Sequence, residues 1–163
     1  MKLTGFFAEI NFSTRAAEKA INEKVEQEVF RAWDAWITEF IRIVPVWSGA
    51  SVGTILPLAE IIGRSVTINA PQGHAHSNES SRGAGASSAT LTNASGKVTI
   101  EYRTALMHLL INNAIDATVF GFNLKKPGPY NIDQHCANAF LETIREARLP
   151  DLSKFFDFDK RSF

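Results

Sequence analysis

Residues 45–59, with the sequence PVWSGASVGTILPLA, decide the fold that this chain is predicted to adopt. Pro45 lacks a backbone N–H and disfavours helical backbone at Val44, so a helix arriving from the N-terminal side is expected to end there. Ser48 can cap a second helix that begins with small residues. The stretch contains no catalytic group, and it is therefore interpreted as a structural junction between two packed helices. The junction consists of Pro45, Val46, Trp47, Ser48 and Gly49.

A long amphipathic helix is predicted before the junction. Ser13 is a candidate N-cap, and apolar residues then recur every three or four positions as far as Val44. About thirty residues at ~1.5 Å each give a helix of about 45 Å, which is longer than a small domain is wide. One end of this helix is therefore expected to reach a neighbouring molecule. The second helix, over about residues 49–62, is expected to bend at Pro57 and to stop at Gly63.

Alternation with a period of two predicts strands over residues 64–70 and 97–103, which are expected to pair antiparallel. A short buried helix is expected over residues 105–113. Asn131 is the candidate cap of a third long helix that ends at about Arg148. The predicted fold class is α+β: a long N-terminal helix, a kinked second helix and a C-terminal helix packed on a small antiparallel β-sheet with a long inserted loop.

The chain is predicted to form one domain with two terminal extensions. Residues 1–12 also alternate and are interpreted as an N-terminal strand or arm. Residues 13–148 are expected to form a single α+β domain, within which residues 71–96 are interpreted as an extended loop. Residues 149–163 are interpreted as a C-terminal aromatic tail, which either folds back onto its own domain or docks on another copy.

The predicted loop over residues 71–96 contains four glycines, six serines and five alanines, with Leu91 as its single sizeable aliphatic residue. Such a segment is not expected to build a core of its own, and loops of this length are usually functional or disordered. Ordering this loop would cost about 1 kcal/mol per residue. We therefore expect contacts with a neighbouring subunit to stabilise it. The candidate subunit contacts come from this loop and the aromatic tail. They are Gly73, His74, His76, Arg82, Gly83, Gly85, Leu91, Phe155, Phe156, Phe158 and Phe163.

Composition limits the classes of function. Seventeen basic and seventeen acidic residues leave a formal net charge of +0, which argues against a protein whose main task is gripping nucleic-acid phosphates. The same balance removes the charge repulsion that opposes self-association. The lone Cys136 excludes an intramolecular disulfide framework and fits a reducing compartment. The apolar runs are shorter than the ~20 residues of a membrane span, so a soluble protein made in the cytoplasm is expected.

The sequence predicts neither a catalytic group nor a metal site. His74 and His76 point the same way in an extended segment, but no acidic or cysteine partner stands nearby at ligand spacing. His135 and Cys136 are neighbours on a helix, where adjacent side chains diverge by about 100°, so they cannot form a nucleophile–base pair. Cys136 is interpreted as a buried structural residue. The chain is therefore not expected to be an enzyme or to hold a cofactor.

Three stretches of the sequence match patterns that occur together in one known class of proteins. Residues 45–51 fit the pattern P-V-[DWY]-[ST]-G-x-[SAR], and residues 98–113 combine a strand with a short helix that ends in a polar Asn turn. Pro129 and Tyr130 then open the last helix. In these three stretches the chain resembles the small neck and tail-completion proteins of tailed bacteriophages, the head-to-tail connector family. The resemblance covers about residues 15–148.

The resemblance implies a structural virion protein of the phage neck, located in the virion and made in the host cytoplasm. Proteins of this family form rings that join or complete the head-to-tail interface around the DNA channel. The implied partners are copies of itself, portal or adaptor proteins, and tail-tube or terminator proteins, with non-specific proximity to channel DNA and no membrane. The resemblance carries over no catalytic residue. Two other functions stay open: a tail-terminator protein, and a small ligand-binding module with a mobile loop over residues 71–96.

Overall fold

The structure is a computed structural model that describes residues 6–44, 46, 49–68, 79–94, 97–105, 130–148 and 150–162. The helices and strands belong to the α+β class that the sequence predicts, with a long N-terminal helix, a bent helical segment, a C-terminal helix and antiparallel strand pairs. In chain order they are β1 (Phe6–Phe12), α1 (Thr14–Ile43), α2 (Ala50–Gly53), α3 (Leu56–Ile61), α4 (Glu79–Gly85), β2 (Ser87–Ala94), β3 (Lys97–Thr104), α5 (Ile132–Arg145), a one-turn 3₁₀ helix (Ser153–Phe155) and β4 (Phe156–Ser162).

The predicted long helix is confirmed as α1. It begins after Ser13 and ends at Val44, whose N–H donates the last helical hydrogen bond to the carbonyl of Phe40 at 2.9 Å. Beyond that bond, Val44 has extended backbone (ψ 130°), as expected for a residue that precedes proline. The polar face of α1 carries ion pairs at helical spacing, among them Lys24–Glu28 at 2.6 Å.

The second helical segment breaks earlier than the sequence predicts. The helix ends at Gly53 and a new one begins at Leu56, so the bend lies at residues 54–55 instead of at Pro57. Proline lacks an N–H and fits best in the first turn of a helix, where no intrahelical partner exists for that group. Pro57 therefore lies in the first turn of α3, and the break is displaced to the residues just before it. Gly63 follows α3 with φ 69°, at the predicted stop.

The core lies where the C-terminal half of α1 meets α2, α3 and the first turn of α5. Helix α5 runs antiparallel along α1, because Arg31 contacts Thr143 and Trp33 packs against Phe140 at 5.3 Å between ring centroids. Ile132 and Cys136 of α5 lie in the core, which confirms the burial predicted for Cys136. The buried core residues are Ile37, Phe40, Val44, Ala50, Val52, Ile55, Leu58, Ala59, Ile132 and Cys136.

The strand pairing that the sequence predicts is half right. The strand over residues 97–103 is confirmed as β3, but its partner is β2 and not the segment over residues 64–70. Residues 64–68 form no regular structure; Val66 and Ile68 are partly buried against the core, which accounts for their alternation without a strand partner. A hairpin partner adjacent in sequence also has a much smaller loop-closure entropy than a strand about thirty residues away.

The expectation of an extended loop is wrong for residues 79–94, which form α4 and β2. The small residues of this segment indicate close packing and not the lack of a core. Gly83 is buried, and Ala86 and Ala89 pack against the core residues. The remainder of the predicted loop, residues 71–78 and 95–96, lies outside the described residues, as does most of the short helix expected over residues 105–113.

The two terminal segments pair with each other. Strand β1 confirms the predicted N-terminal strand, and it pairs antiparallel with β4 from Phe6 opposite Ser162 to Phe12 opposite Phe156. The N–H of Ser13 donates to the carbonyl of Phe155 at 3.1 Å, which fixes this ribbon to the start of α1. Of the two possibilities for the C-terminal tail, the structure thus has the tail folding back onto its own chain.

Candidate functional site

The predicted structural junction is described at two of its five positions. Gly49 is buried and has φ 91°, and a Cβ atom at this position would lie 2.9 Å from Cγ2 of Ile68. Only glycine combines this backbone conformation with so close a neighbour. Val46 packs against the core as a partly buried residue. These contacts fit the structural role predicted for the junction. Pro45, Trp47 and Ser48 lie outside the described residues.

The structure places Gly83, which the sequence predicts to be a subunit contact, against the start of α2, directly after the junction. Gly83 of α4 lies directly against the backbone of Ala50, the first residue of α2, and a Cβ atom on Gly83 would overlap the carbonyl oxygen of Ala50. Gly83 is buried within its own chain. The prediction that Gly83 contacts another subunit is therefore wrong. Gly83 instead sets the distance between α4 and α2 within its own chain.

A cluster of hydroxyl groups lies beside this helix contact. The hydroxyl oxygen of Ser87 lies 3.2 Å from the carbonyl oxygen of Gly83 and 3.0 Å from Oγ1 of Thr104. Thr54 is fully buried, and Oγ1 of its side chain donates to the carbonyl of Ser51 at 2.7 Å. The two Ser87 contacts connect α4 with the hairpin, and the Thr54 hydrogen bond closes the end of α2.

Tyr102 belongs to the same cluster. Burial raises the pKa of the Tyr102 phenol, while the nearby hydroxyls of Thr54, Ser87 and Thr104 oppose that rise. Its ring packs edge-on against Trp36 of α1, with the ring centroids 5.5 Å apart. Tyr102 therefore stays neutral and joins the hairpin to α1.

The other predicted contact residues lie in separate elements of the fold. Arg82 and Gly85 are exposed on α4, and Leu91 of β2 is 38% exposed. Phe155 is half-buried, with the Lys154 ammonium group 5.1 Å from its ring centroid. Phe156 and Phe158 lie in β4, opposite Phe12 and Ile10 of β1. The predicted contacts outside the described residues are Gly73, His74, His76 and Phe163.

The outer half of the hairpin forms an exposed strand edge. Residues 90–94 of β2 are all exposed, and within the described residues β2 pairs with β3 alone. We call residues 90–94 the hairpin edge. Its inner side is supported, because the side-chain amide of Asn93 donates to Oε2 of Glu26 on α1 at 2.7 Å. A supported strand with an unpaired edge is a template for a further strand.

A groove that no sequence pattern predicts lies between α1 and the end of α5. Its volume is about 630 Å³, and charged side chains from both helices line it. The residues are more than one hundred positions apart in the chain, so no local pattern indicates that they meet. We call this site the α1–α5 groove. Its lining residues are Lys24, Glu28, Arg31, Arg145, Glu146, Ala147 and Arg148.

The part of the chain that the structure describes contains no cluster of metal ligands. Three or more His, Cys, Asp or Glu side chains nowhere converge there in an arrangement that could hold a metal ion. Cys136 has no exposed surface, and burial raises the pKa of its thiol to about 12, as expected for the structural role assigned to it. The thiol therefore stays protonated at neutral pH.

Two further findings bear on function. None of the described helices has the length and apolar content that crossing a bilayer requires. No family model, curated protein or solved structure matches the chain. The hairpin edge and the α1–α5 groove are thus the two surfaces from which binding of a partner can be argued.

Proposed function

We propose that this chain is a structural virion protein of a tailed-phage neck, which forms a ring that joins or completes the head-to-tail interface around the DNA channel. The partners in this proposal are copies of itself, portal or adaptor proteins, and tail-tube or terminator proteins. The resemblance of residues 45–51 to the connector family motivates the proposal. The proposed structural role does not require the chain to have enzymatic activity or a cofactor.

The observation that carries the proposal is the hairpin edge. A ring protein needs one surface on each copy that accepts a different surface of the next copy, because such contacts close by rotation. An exposed strand edge on a firmly packed body provides such a surface, since its unpaired N–H and C=O groups bond to a neighbouring chain. The net charge of +0 removes one general barrier to close approach of identical copies.

The ligand-binding alternative required a mobile loop over residues 71–96. Residues 79–94 are instead a helix and a strand, with Gly83 packed against Ala50. No observation in the described residues favours a lid that closes over a ligand. A tail-terminator protein also forms rings, so the test of the proposal must separate that alternative from a joining role.

The test is electron microscopy of lysates in which this gene is disrupted in the genome that carries it. Filled heads and finished tails that lie unjoined support a joining role, and heads that leak DNA support completion of the head. Tails of abnormal length would favour the terminator alternative. Intact and infectious particles would contradict the proposal.

Complementation provides the control for this experiment. The intact gene supplied in trans must restore joined particles, which excludes polar effects on neighbouring genes. A second complementing gene with Leu141→Lys changes an exposed leucine of α5 that lies outside the hairpin edge, and it is expected to restore particles as well.

A further inference from the structure

We propose that the α1–α5 groove binds the phosphate backbone of double-stranded DNA. This inference concerns a surface that the proposed neck function does not assign, and it stands on the charge and geometry of the groove. It also differs from the expectation drawn from overall charge, because a chain of net charge +0 can still concentrate its cations on one face.

The groove has a net positive charge. Four of its seven lining residues are lysine or arginine and two are glutamate, which leaves a formal charge of +2 at this site. Since the whole chain has a formal charge of +0, the rest of the molecule carries the balancing negative charge. The single apolar lining residue is Ala147, so the groove lacks the hydrophobic anchoring that peptides and drug-like ligands normally use.

One side of the groove is held in place by the body of the protein. Glu28 is half-buried and pairs with Lys24 at 2.6 Å and with Arg31 at 2.9 Å. The hydrogen bond from Lys24 is the largest cause that lowers the pKa of Glu28, so this carboxylate is ionised at neutral pH. Arg31 also donates to the carbonyl of Thr143 at 3.1 Å, which holds the guanidinium group between the two helices.

The other side presents two exposed arginines, which have no acidic partner among the described residues. Arg145 and Arg148 are exposed, and neither forms an ion pair in the described part of the chain. A guanidinium group offers five N–H donors in a planar fork that matches the oxygens of a phosphate. The groove is open to solvent, so a continuous polymer backbone can lie along it, which a closed pocket would prevent.

The expected binding is weak and independent of base sequence. Contacts to phosphate position a protein on DNA but carry no sequence information. With only a few cations in the site, a single copy is expected to bind in the range of ~10⁻⁴–10⁻⁶ M that is typical of non-specific complexes. Several copies held around one duplex would bind more tightly through multivalency.

The test is fluorescence anisotropy of a labelled duplex of about 20 base pairs, titrated with the full chain at about 50–200 mM salt. The double variant Arg145→Ala, Arg148→Ala is expected to bind at least about tenfold more weakly at low salt. Its plot of log K against log salt should be shallower by about two units, since two phosphate contacts are lost.

The matched control is the double variant Arg15→Ala, Arg103→Ala, which removes the same charge from exposed positions outside the groove. It should bind within about threefold of the unchanged chain. Equal weakening by both variants would mean that net charge and not the groove attracts DNA, and would overturn the proposal. Absence of duplex binding by the unchanged chain at low salt would overturn it too.

Two further measurements keep the result interpretable. Among the described residues, neither Arg145 nor Arg148 forms an ion pair on which folding could depend, so the thermal midpoint of the variant should equal that of the unchanged chain. A labelled polyglutamate peptide serves as an alternative anion. If it binds in a groove-dependent way while the duplex does not, the ligand is an acidic protein segment and the assignment to DNA is wrong.

Discussion

Gly83 sets how closely α4 approaches α2, because the carbonyl oxygen of Ala50 occupies the space that a side chain would need. The adjacent hydroxyl of Ser87 lies 3.2 Å from the Gly83 carbonyl oxygen and joins this part of α4 to β2. Backbone groups cannot shift as easily as the end of a flexible side chain. At this position a single methyl group is therefore expected to separate two elements of the core.

Gly83→Ala is predicted to destabilise the protein by about 1–3 kcal/mol, the range for forcing an extra carbon into a packed interior. Urea unfolding followed by circular dichroism measures the change. Gly85→Ala is the matched control, because Gly85 is exposed on the same helix and a Cβ atom there would meet nothing within 4 Å. The control should be neutral or slightly stabilising. Equal midpoints for the two variants would show that the α2–α4 contact is not tight.

Single residues differ in how well the sequence predicts them. Cys136 could be recognised as buried, because it falls on the apolar stripe of a helix, and it has no exposed surface. Gly83 could not, because small residues occur both in loops and where two backbones pack closely. Composition is the same in the two cases, and only the position of Ala50 in three dimensions distinguishes them.

The hairpin is the element that best connects the fold with assembly. Tyr102 meets Trp36 and Asn93 meets Glu26, so the hairpin runs along α1 for about ten helical residues, or about 15 Å. This support holds β3 in place and leaves the hairpin edge exposed. Leu91 is the large apolar side chain of that edge, opposite Ile100 of β3.

Leu91→Lys is predicted to lower the self-association constant at least about tenfold, because a lysine on a strand edge opposes pairing with another strand. Analytical ultracentrifugation over a range of concentrations measures this constant. Leu141→Lys is the control, since Leu141 is a leucine of similar exposure, 48%, on α5. If the two variants associate equally well, or if the unchanged chain is monomeric throughout, the hairpin edge is not the assembly surface.

Elements were predictable where a long periodic pattern exists. Helix α1 and strand β3 follow such patterns closely, and the structure confirms both. The partner of β3 was not predictable in the same way. Residues 64–68 alternate because one side of an irregular segment faces the core, whereas β2 alternates weakly because its outer half faces solvent on both sides. Periodicity reports burial, and it does not identify which strands bond to each other.

At the scale of the whole molecule, the long polar face of α1 carries carboxylates that are stabilised in the ionised form. The hydrogen bond from Arg42 is the main cause that lowers the pKa of Glu39 below its ordinary value of 4.5. The pKa of Glu28 is lowered in the same sense by Lys24. A carboxyl with a lower pKa in the folded state contributes stability that is fully present above the unfolded value and is lost as the pH falls through the folded value.

The free energy of unfolding is therefore predicted to decrease as the pH falls below 4.5, the ordinary value for these groups. Glu39→Gln should have a slightly lower urea midpoint than the unchanged chain at pH 7, and the two midpoints should converge in acid. Glu101→Gln is the control, because its pair with Arg103 is exposed and is expected to contribute little. A difference between Glu39→Gln and the unchanged chain that persists undiminished in acid would contradict this assignment.

The terminal ribbon also has a consequence for the order of folding. Pairing β1 with β4 joins segments about 140 residues apart, and closing so long a loop in an unfolded chain costs about 4 kcal/mol of entropy. The ribbon is therefore expected to form late, after the helical core has brought its two ends together. Since β4 leaves the ribosome after every other described element, β1, with the sequence FFAEINF, must wait unpaired during synthesis. During synthesis the aromatic strand β1 is therefore exposed to aggregation until β4 has emerged and pairs with it.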